Sequence, residues 1–441
     1  MHVDTLIHAR WIIPVEPHNT VLEQHSLAIT DGKIQALLPS QPAREQIQAE
    51  KVVELPTHAL IPGLINAHTH SAMTLFRGLA DDKPLMTWLQ EHIWPAEQQW
   101  VKEDFIADGS RLAIAEMLRS GTSCFNDMYF YPDITAQVAI NAGIRSVAGL
   151  ILIDFPSVWA ADTDEYLHKA VALHDQLRKE PLVSTAFAPH APYSVSDEPL
   201  QRMLTLSNEL DIPTHMHVHE TEYETQQSVE QYGMRPIERL QKLGLLNPTL
   251  LAVHMTQLNQ QEMEDIAQAG VQVVHCPESN LKLASGFCPV QQLLEAGINV
   301  ALGTDSAASN NDLDMLGEMR SAALLGKGVA QDASALPAAQ VLAMATINGA
   351  KALGLQEQIG SLTIGKAADM TALNLNTISC QPVYNPISQI VYSSTREQVS
   401  DVWVAGQPLV TNHRLVQMDE DALCDNAQQW QSRISTTSHQ E

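Results

Sequence analysis

The chain of 441 residues is poor in aromatics (5%), in cysteine (five residues) and in basic side chains, with 25 Lys and Arg against 51 Asp and Glu. The five cysteines, Cys124, Cys276, Cys288, Cys380 and Cys424, are odd in number, scattered and never paired as C-x-x-C. That excludes a disulfide framework and a thiolate zinc site as readings of the pattern. A net charge of −26 repels phosphate backbones and anionic lipid, so neither nucleic acid nor a membrane surface is an expected partner. No apolar run approaches the roughly 20 residues of a membrane-spanning helix. The opening MHVDTLIHARWIIPVEP has no basic n-region, and its short apolar stretch is broken by Pro14. A secretory leader is therefore not expected, and reduced thiols suit a cytoplasmic location.

What is present is a composition with 45% hydrophobic and 17% charged residues, long enough for one large barrel and a smaller domain. Between about Leu60 and Leu302, short apolar or β-branched runs alternate with longer stretches of helical spacing, the signature of βα units. The runs are Leu60 to Ala67, Thr122 to Met128, Ser146 to Ile153, Val183 to Ala188, Thr214 to Val218, Thr249 to Val253, Val271 to Val274 and Asn299 to Gly303. Eight such units imply a (β/α)8 barrel. The flanks differ. SLAITDGKIQALLP near the start, with Asp31-Gly32 as a hairpin turn, and GSLTIGKAADMTALNL and VSDVWVAGQPLV near the end read as strands. The expected fold is α/β: a TIM-like barrel over residues 59–359, with a small β-sandwich built from both termini, residues 1–58 and 360–441. The polar tail after about Met418 reads as a surface helix followed by disorder.

Histidines and one aspartate fall at the ends of these runs. The first ends in His68-Thr-His70, whose alternation puts both imidazoles on one face; alone, such a pair is weak evidence. The fifth ends in THMHVHE, the sixth in Val253-His254 and the eighth in Gly303-Thr304-Asp305-Ser306. Singly, His254 fits a core histidine and Asp305 a helix N-cap. Together at the rim where barrel enzymes keep their sites, imidazoles and a carboxylate form a donor set for zinc or iron with room for a water. In the fifth run His215, His217 and His219 share a face, so alternation alone does not select among them.

The motifs PGLINAHTH, HVHE, VHMT, HCPESNLKLASG and GTDS span most of the chain, which resembles the amidohydrolase superfamily and, within it, the methylthioadenosine/S-adenosylhomocysteine deaminases and related chlorohydrolases. The resemblance implies one divalent metal, Zn2+ first and Fe2+ second, held by His68, His70, His217 and Asp305. Family spacing selects His217, leaving His215 deeper in the barrel and His219 either higher on the rim or behind the ligands. It further implies Glu220 as acid/base, His254 as proton shuttle, Asp305 as a proton acceptor as well as a ligand, and Glu97, His190, Glu220 and Asp305 as substrate contacts. Binuclear members carry a carbamylated lysine on the fourth strand; residues 181–192 contain no lysine, so one metal is expected. Neither an H-E-x-x-H protease motif nor the P-C-x-x-C half of the cytidine-deaminase signature is present.

The implied reaction is hydrolytic deamination of an adenine nucleoside to its hypoxanthine form by a metal-activated water. Glu97 in WPAE follows the apolar LMTWL, which flanks a base or thioether or simply buries a helix face. His190 sits on a loop bracketed by Pro189 and Pro192. Some members hold the substrate tail with arginines after the third strand; this chain has ILIDFPSVWAA there, and Arg145 precedes the strand. An apolar methylthio group, covered by Phe155, Val158 or Trp159, therefore ranks ahead of the charged tail of S-adenosylhomocysteine. The expected substrate is 5'-methylthioadenosine, then S-adenosylhomocysteine and adenosine. The alternatives are a chlorohydrolase, a guanine or other aminoheterocycle deaminase and, more remotely, an inactive scaffold. A homodimer is compatible with the resemblance, but no residue pattern fixes it.

Overall fold

The computed structural model describes residues 1–437, which form two compact units. The first comprises Met1–Asn66, Ala115–Cys124 and Asp314–Met418; the second comprises Ala67–Ile114, Phe125–Leu313 and the chain from Asp419 onward.

In the first unit, strands from both ends of the chain share one mixed eight-stranded sheet. Its order is Arg414–Leu415, Gln407–Thr411, Val399–Val404, Met370–Asn374, Gln48–Pro62, His2–Ile12, Leu22–Thr30 and Lys33–Pro39. The long strand Gln48–Pro62 joins the termini: it runs parallel to His2–Ile12 and antiparallel to Met370–Asn374. Ile7, Leu27, Leu55, Leu60, Met370 and Trp403 pack together in the core of the sheet. The hairpin turns at Asp31-Gly32, both at positive φ (50° and 70°), between the paired Thr30 and Lys33. Only glycine fits at position 32, since a Cβ there would stand 2.5 Å from the Ala405 carbonyl oxygen.

The second sheet is the barrel, with strands Leu64–Thr69, Thr122–Asp127, Arg145–Leu152, Val183–Pro189, Thr214–Val218, Leu250–His254, Gln272–His275 and Val300–Leu302 in sequence order. Neighbouring strands pair in parallel, and most are buried along their whole length, which is why they read as apolar runs rather than as alternation. Past the eighth strand the ring is bridged to the first by a hydrogen bond from the Asp305 amide to the His68 carbonyl, 3.0 Å. Gly303 makes this approach possible; a Cβ on it would lie 2.8 Å from the His68 nitrogen.

One expected run is divided differently. Leu60 to Pro62 finish the long strand of the terminal sheet, and the first barrel strand begins only at Leu64. Pro62-Gly63 interrupts the ladder, while the apolar character on either side is continuous. The tail forms the helix Glu420–Thr437, which buries Trp430 and Ile434; the indole donates to Asp108 Oδ2 at 3.0 Å. The disorder expected beyond it falls outside the described residues. No helix among the described residues is long and apolar enough to cross a membrane.

Candidate active site

Four side chains converge at the C-terminal rim of the barrel. One donor atom each from His68, His70, His217 and Asp305 lies within 4.8 Å of the others. His217 Nε2 is 3.2 Å from the Nε2 atoms of both His68 and His70, and Asp305 Oδ1 is 3.3 and 3.2 Å from those same two nitrogens. Such spacings suit nitrogen and oxygen donors each about 2 Å from a shared ion. The opposite edges of the rings are anchored. His70 Nδ1 donates to the Met128 carbonyl, His217 Nδ1 donates to the His190 carbonyl at 2.7 Å, and His68 Nδ1 lies 2.8 Å from His215 Nε2. A proton held on Nδ1 by a carbonyl leaves the Nε2 lone pair facing inward, the tautomer a metal needs. Burial pushes His68 down to about 4 and His217 well below the ordinary histidine range, so both are neutral donors at pH 7. Asp305 is held from behind: Oδ2 accepts from Ser279 Oγ (2.6 Å) and Ser309 Oγ (3.1 Å), and Oδ1 also accepts from the Ser306 amide (2.8 Å). The donor set, its spacing and its tautomers therefore fit one divalent ion.

Glu220 is buried beside this cluster, with Oε2 3.8 Å from His254 Nε2 and Oε1 3.4 Å from Ser285 Oγ. Burial raises its pKa above the ordinary carboxylate value. His254 Nδ1 lies 2.9 Å from Asn280 Oδ1, and its ring stacks on His217 with centroids 5.4 Å apart. His219, His254 and Asp305 all adopt left-handed backbone (φ 56°, 78° and 62°), an uncommon conformation for non-glycine residues that here recurs where strands deliver site residues.

Beyond the cluster opens a cavity of about 450 Å3. Trp88, Leu89, Ile93, Phe130, Phe155 and Tyr193 give it apolar walls, and its acids are Glu97, Asp154, Glu220 and Asp305; among the described residues no lysine or arginine lines it. Glu97 lies on the short helix Trp94–Trp100, partly buried, and accepts a 2.7 Å hydrogen bond from the Tyr129 hydroxyl. Burial pushes its pKa up to about 7 against that bond. His190 follows the fourth strand with Nδ1 2.8 Å from Ser194 Oγ, and burial pushes it down to about 3. Arg145 opens the third strand, at the end away from the rim, within 3.4 Å of the Pro181 carbonyl.

All eight sequence-derived candidates meet at this rim: seven line the cavity and His68 completes the ligand cluster behind them. His215 lies deeper, against His68 and Asn126, and His219 is buried behind the site, 3.8 Å from Glu262. Sequence reasoning missed Asp127, whose Oδ1 accepts from the Ser71 amide at 2.6 Å and which burial pushes up to about 6. It also missed Tyr129 and Glu224, and left Ser279 and Asn280 unassigned. Asp127 had a visible signal as an acid one residue before the end of the second run; Tyr129 and Glu224 are recognisable only from what the fold brings beside them.

A parallel barrel with a His3Asp cluster and a buried glutamate on its rim defines a class of metal-dependent hydrolases. The chain belongs to the amidohydrolase family, whose pattern matches residues 59–409. Among its relatives, a 5-methylthioadenosine/S-adenosylhomocysteine deaminase of Teredinibacter turnerae is 48% identical, covering 98% of both chains. A protein of the same name from Syntrophobacter fumaroxidans is 42% identical over 96% of each. Of solved structures, an adenosine deaminase from Xanthomonas campestris with bound zinc superposes with TM-score 0.98 at 52% identity, covering 99% of each chain. An atrazine chlorohydrolase from Arthrobacter aurescens complexed with zinc has TM-score 0.90 at 25% identity, covering 97% of this chain and 99% of its own.

Proposed function

We propose that this chain deaminates the adenine of 5'-methylthioadenosine, accepts S-adenosylhomocysteine and adenosine less well, and releases ammonia. The observation that carries this reading is the buried Glu220 between the His3Asp cluster and an apolar cavity without a cationic side chain. The cavity suits a neutral purine with an apolar 5' substituent, and among the described residues no lysine or arginine of its lining is there to pair with a substrate carboxylate. Relatives named for deamination, at 48% identity, support the same chemistry.

His68, His70, His217 and Asp305 would hold a divalent ion, zinc first and iron second, which when bound would supply the charge that lets a water ionise near neutral pH. Glu220 gives a proton to the ring nitrogen beside the amino-bearing carbon as the water oxygen bonds to that carbon. Asp305 and His254 Nε2 take the first proton the water loses and return it to the amino group; the carbon–nitrogen bond breaks, ammonia leaves, and the hydroxyl left on the carbon gives its remaining proton back to Glu220 as it becomes the carbonyl of the product. Glu97 accepts from the ribose hydroxyls, and His190 contacts the base. We place this chemistry within residues 59–359, in a cytoplasmic enzyme compatible with a homodimer.

The test is ammonia release from methylthioadenosine, adenosine, S-adenosylhomocysteine and guanine, and chloride release from a chlorotriazine, alongside metal analysis. Methylthioadenosine should give the highest kcat/KM, with one metal per chain. Chloride release without ammonia would make the chain a chlorohydrolase, and bound metal without turnover of any of these would remove the reading. Glu220→Gln should lower kcat about 100- to 10,000-fold, the range for a lost general acid.

A further inference from the structure

We infer that Glu224 is a positioning residue for the reaction, fixing Glu220 through its backbone; this rests on the acid/base role proposed for Glu220. The fifth barrel strand stops at Val218, and the next helix, Glu222–Tyr232, starts from the N-cap Thr221. Glu220 therefore sits in a turn of three residues, His219 to Thr221, whose first member has left-handed backbone. A non-glycine residue in that region costs on the order of 1–2 kcal/mol unless its surroundings hold it.

Glu224 occupies the third position of the helix. In a capping box that side chain would turn back to the N-cap amide. Here it reaches past the cap: Oε1 accepts from the His219 amide at 3.1 Å and Oε2 from the Glu220 amide at 2.8 Å. One carboxylate thus grips two consecutive peptide N–H groups. From the other side Thr256 Oγ1 donates to the Glu220 carbonyl at 2.6 Å, and the Thr256 amide donates to the His219 carbonyl at 2.9 Å. Glu220 is consequently clamped at both its N–H and its C=O, and its side chain leaves the turn towards His254 Nε2 and Ser285 Oγ.

Glu224 is 3% exposed, a costly place for a charged carboxyl, and burial pushes its pKa up to about 8 against the His219 and Glu220 amide bonds, which favour the ionised form. Ending a helix requires no such residue, because Thr221 already caps this one by accepting from the Glu224 amide. What the carboxylate adds is a fixed origin for the side chain two residues beyond the strand, and displacement of a reacting group by about 1 Å costs on the order of 100-fold in rate.

The test compares Glu224→Gln, Glu224→Ala and Glu220→Gln with the parent for kcat, KM, metal content and melting temperature. Asn385→Ala, which removes the cap of the distant helix Pro386–Tyr392, serves as a stability control. Glu224→Ala should lose kcat on the order of 10- to 100-fold with KM and metal content unchanged, and Glu224→Gln, which keeps one acceptor oxygen, should recover part of it. Asn385→Ala should lower the melting temperature and leave kcat alone. If Glu220→Gln is inactive but Glu224→Gln and Glu224→Ala both keep parental kcat, or lose it only in proportion to lost metal, the positioning role is wrong. If Glu220→Gln itself retains full activity, the acid/base reading fails.

Discussion

Glu97 illustrates how one side chain can set a pH limb. Its carboxyl is pushed up to about 7, and the role proposed for it, accepting from ribose hydroxyls, is served by the ionised form. Protonation on the acid side therefore removes the acceptor, and kcat/KM should fall as pH drops. A cation at the neighbouring cluster favours the carboxylate, so the limb should lie at pH 7 or below. Glu97→Gln should abolish this limb and raise KM about 10- to 100-fold, the range for a hydrogen bond to a charged group. A parental limb in the variant would assign it elsewhere. Residues of this kind differ in how readily the sequence shows them. His68, His70, His254 and Asp305 stood out as candidates because strand ends are marked by the apolar runs before them, whereas His217 was separated from His215 and His219 only by the family resemblance. Ser279 and Ser309 were not: serine is common on any loop, and only folding brings them to 2.6 and 3.1 Å from Asp305 Oδ2.

At the scale of elements, the eighth strand shows how little backbone a site can depend on. Val300–Leu302 is three residues long, and the adjoining segment, Gly303 to Asp305, lies directly against the first strand. In Gly303→Ala the new methyl group would enter the His68 backbone at 2.8 Å. Such overpacking costs typically about 1–3 kcal/mol. Because His68 and Asp305 move with these strands, metal content should fall together with the melting temperature. A variant that lost stability but bound a full complement of metal would show that the two strand ends separate without harm to the cluster. The barrel strands and their helices were readable from period and turn residues. The boundary at Pro62-Gly63 was not, because two strands of different sheets meet there without a change in hydrophobicity. The wall of the cavity was equally hidden: Leu85 to Trp100 reads as one amphipathic stretch, yet it folds as two short α-helices around a π-helical turn at Leu89–Ile93.

For the whole molecule, the ligand cluster ties the first, fifth and eighth barrel strands into one site, so an ion there stabilises the native state alone. At a free concentration 1,000 times its Kd, one ion contributes about 4 kcal/mol. Chelation should therefore lower the melting temperature, and added zinc should restore it. An unchanged melting temperature after complete metal removal would mean that the cluster holds no ion of consequence for the fold.

The last helix completes the unit that carries the chemistry. Trp430 and Ile434 belong to the same apolar cluster as Trp88, Leu89 and Ile93, which wall the cavity. These partners are separated by more than 300 positions of chain, and the ribosome delivers Trp430 and Ile434 long after the wall residues. Domains fold largely as they emerge during synthesis. A nascent chain whose barrel strands have all emerged still lacks the side chains that pack behind the wall of its own pocket, and that wall is backed only once Trp430 and Ile434 have emerged as well.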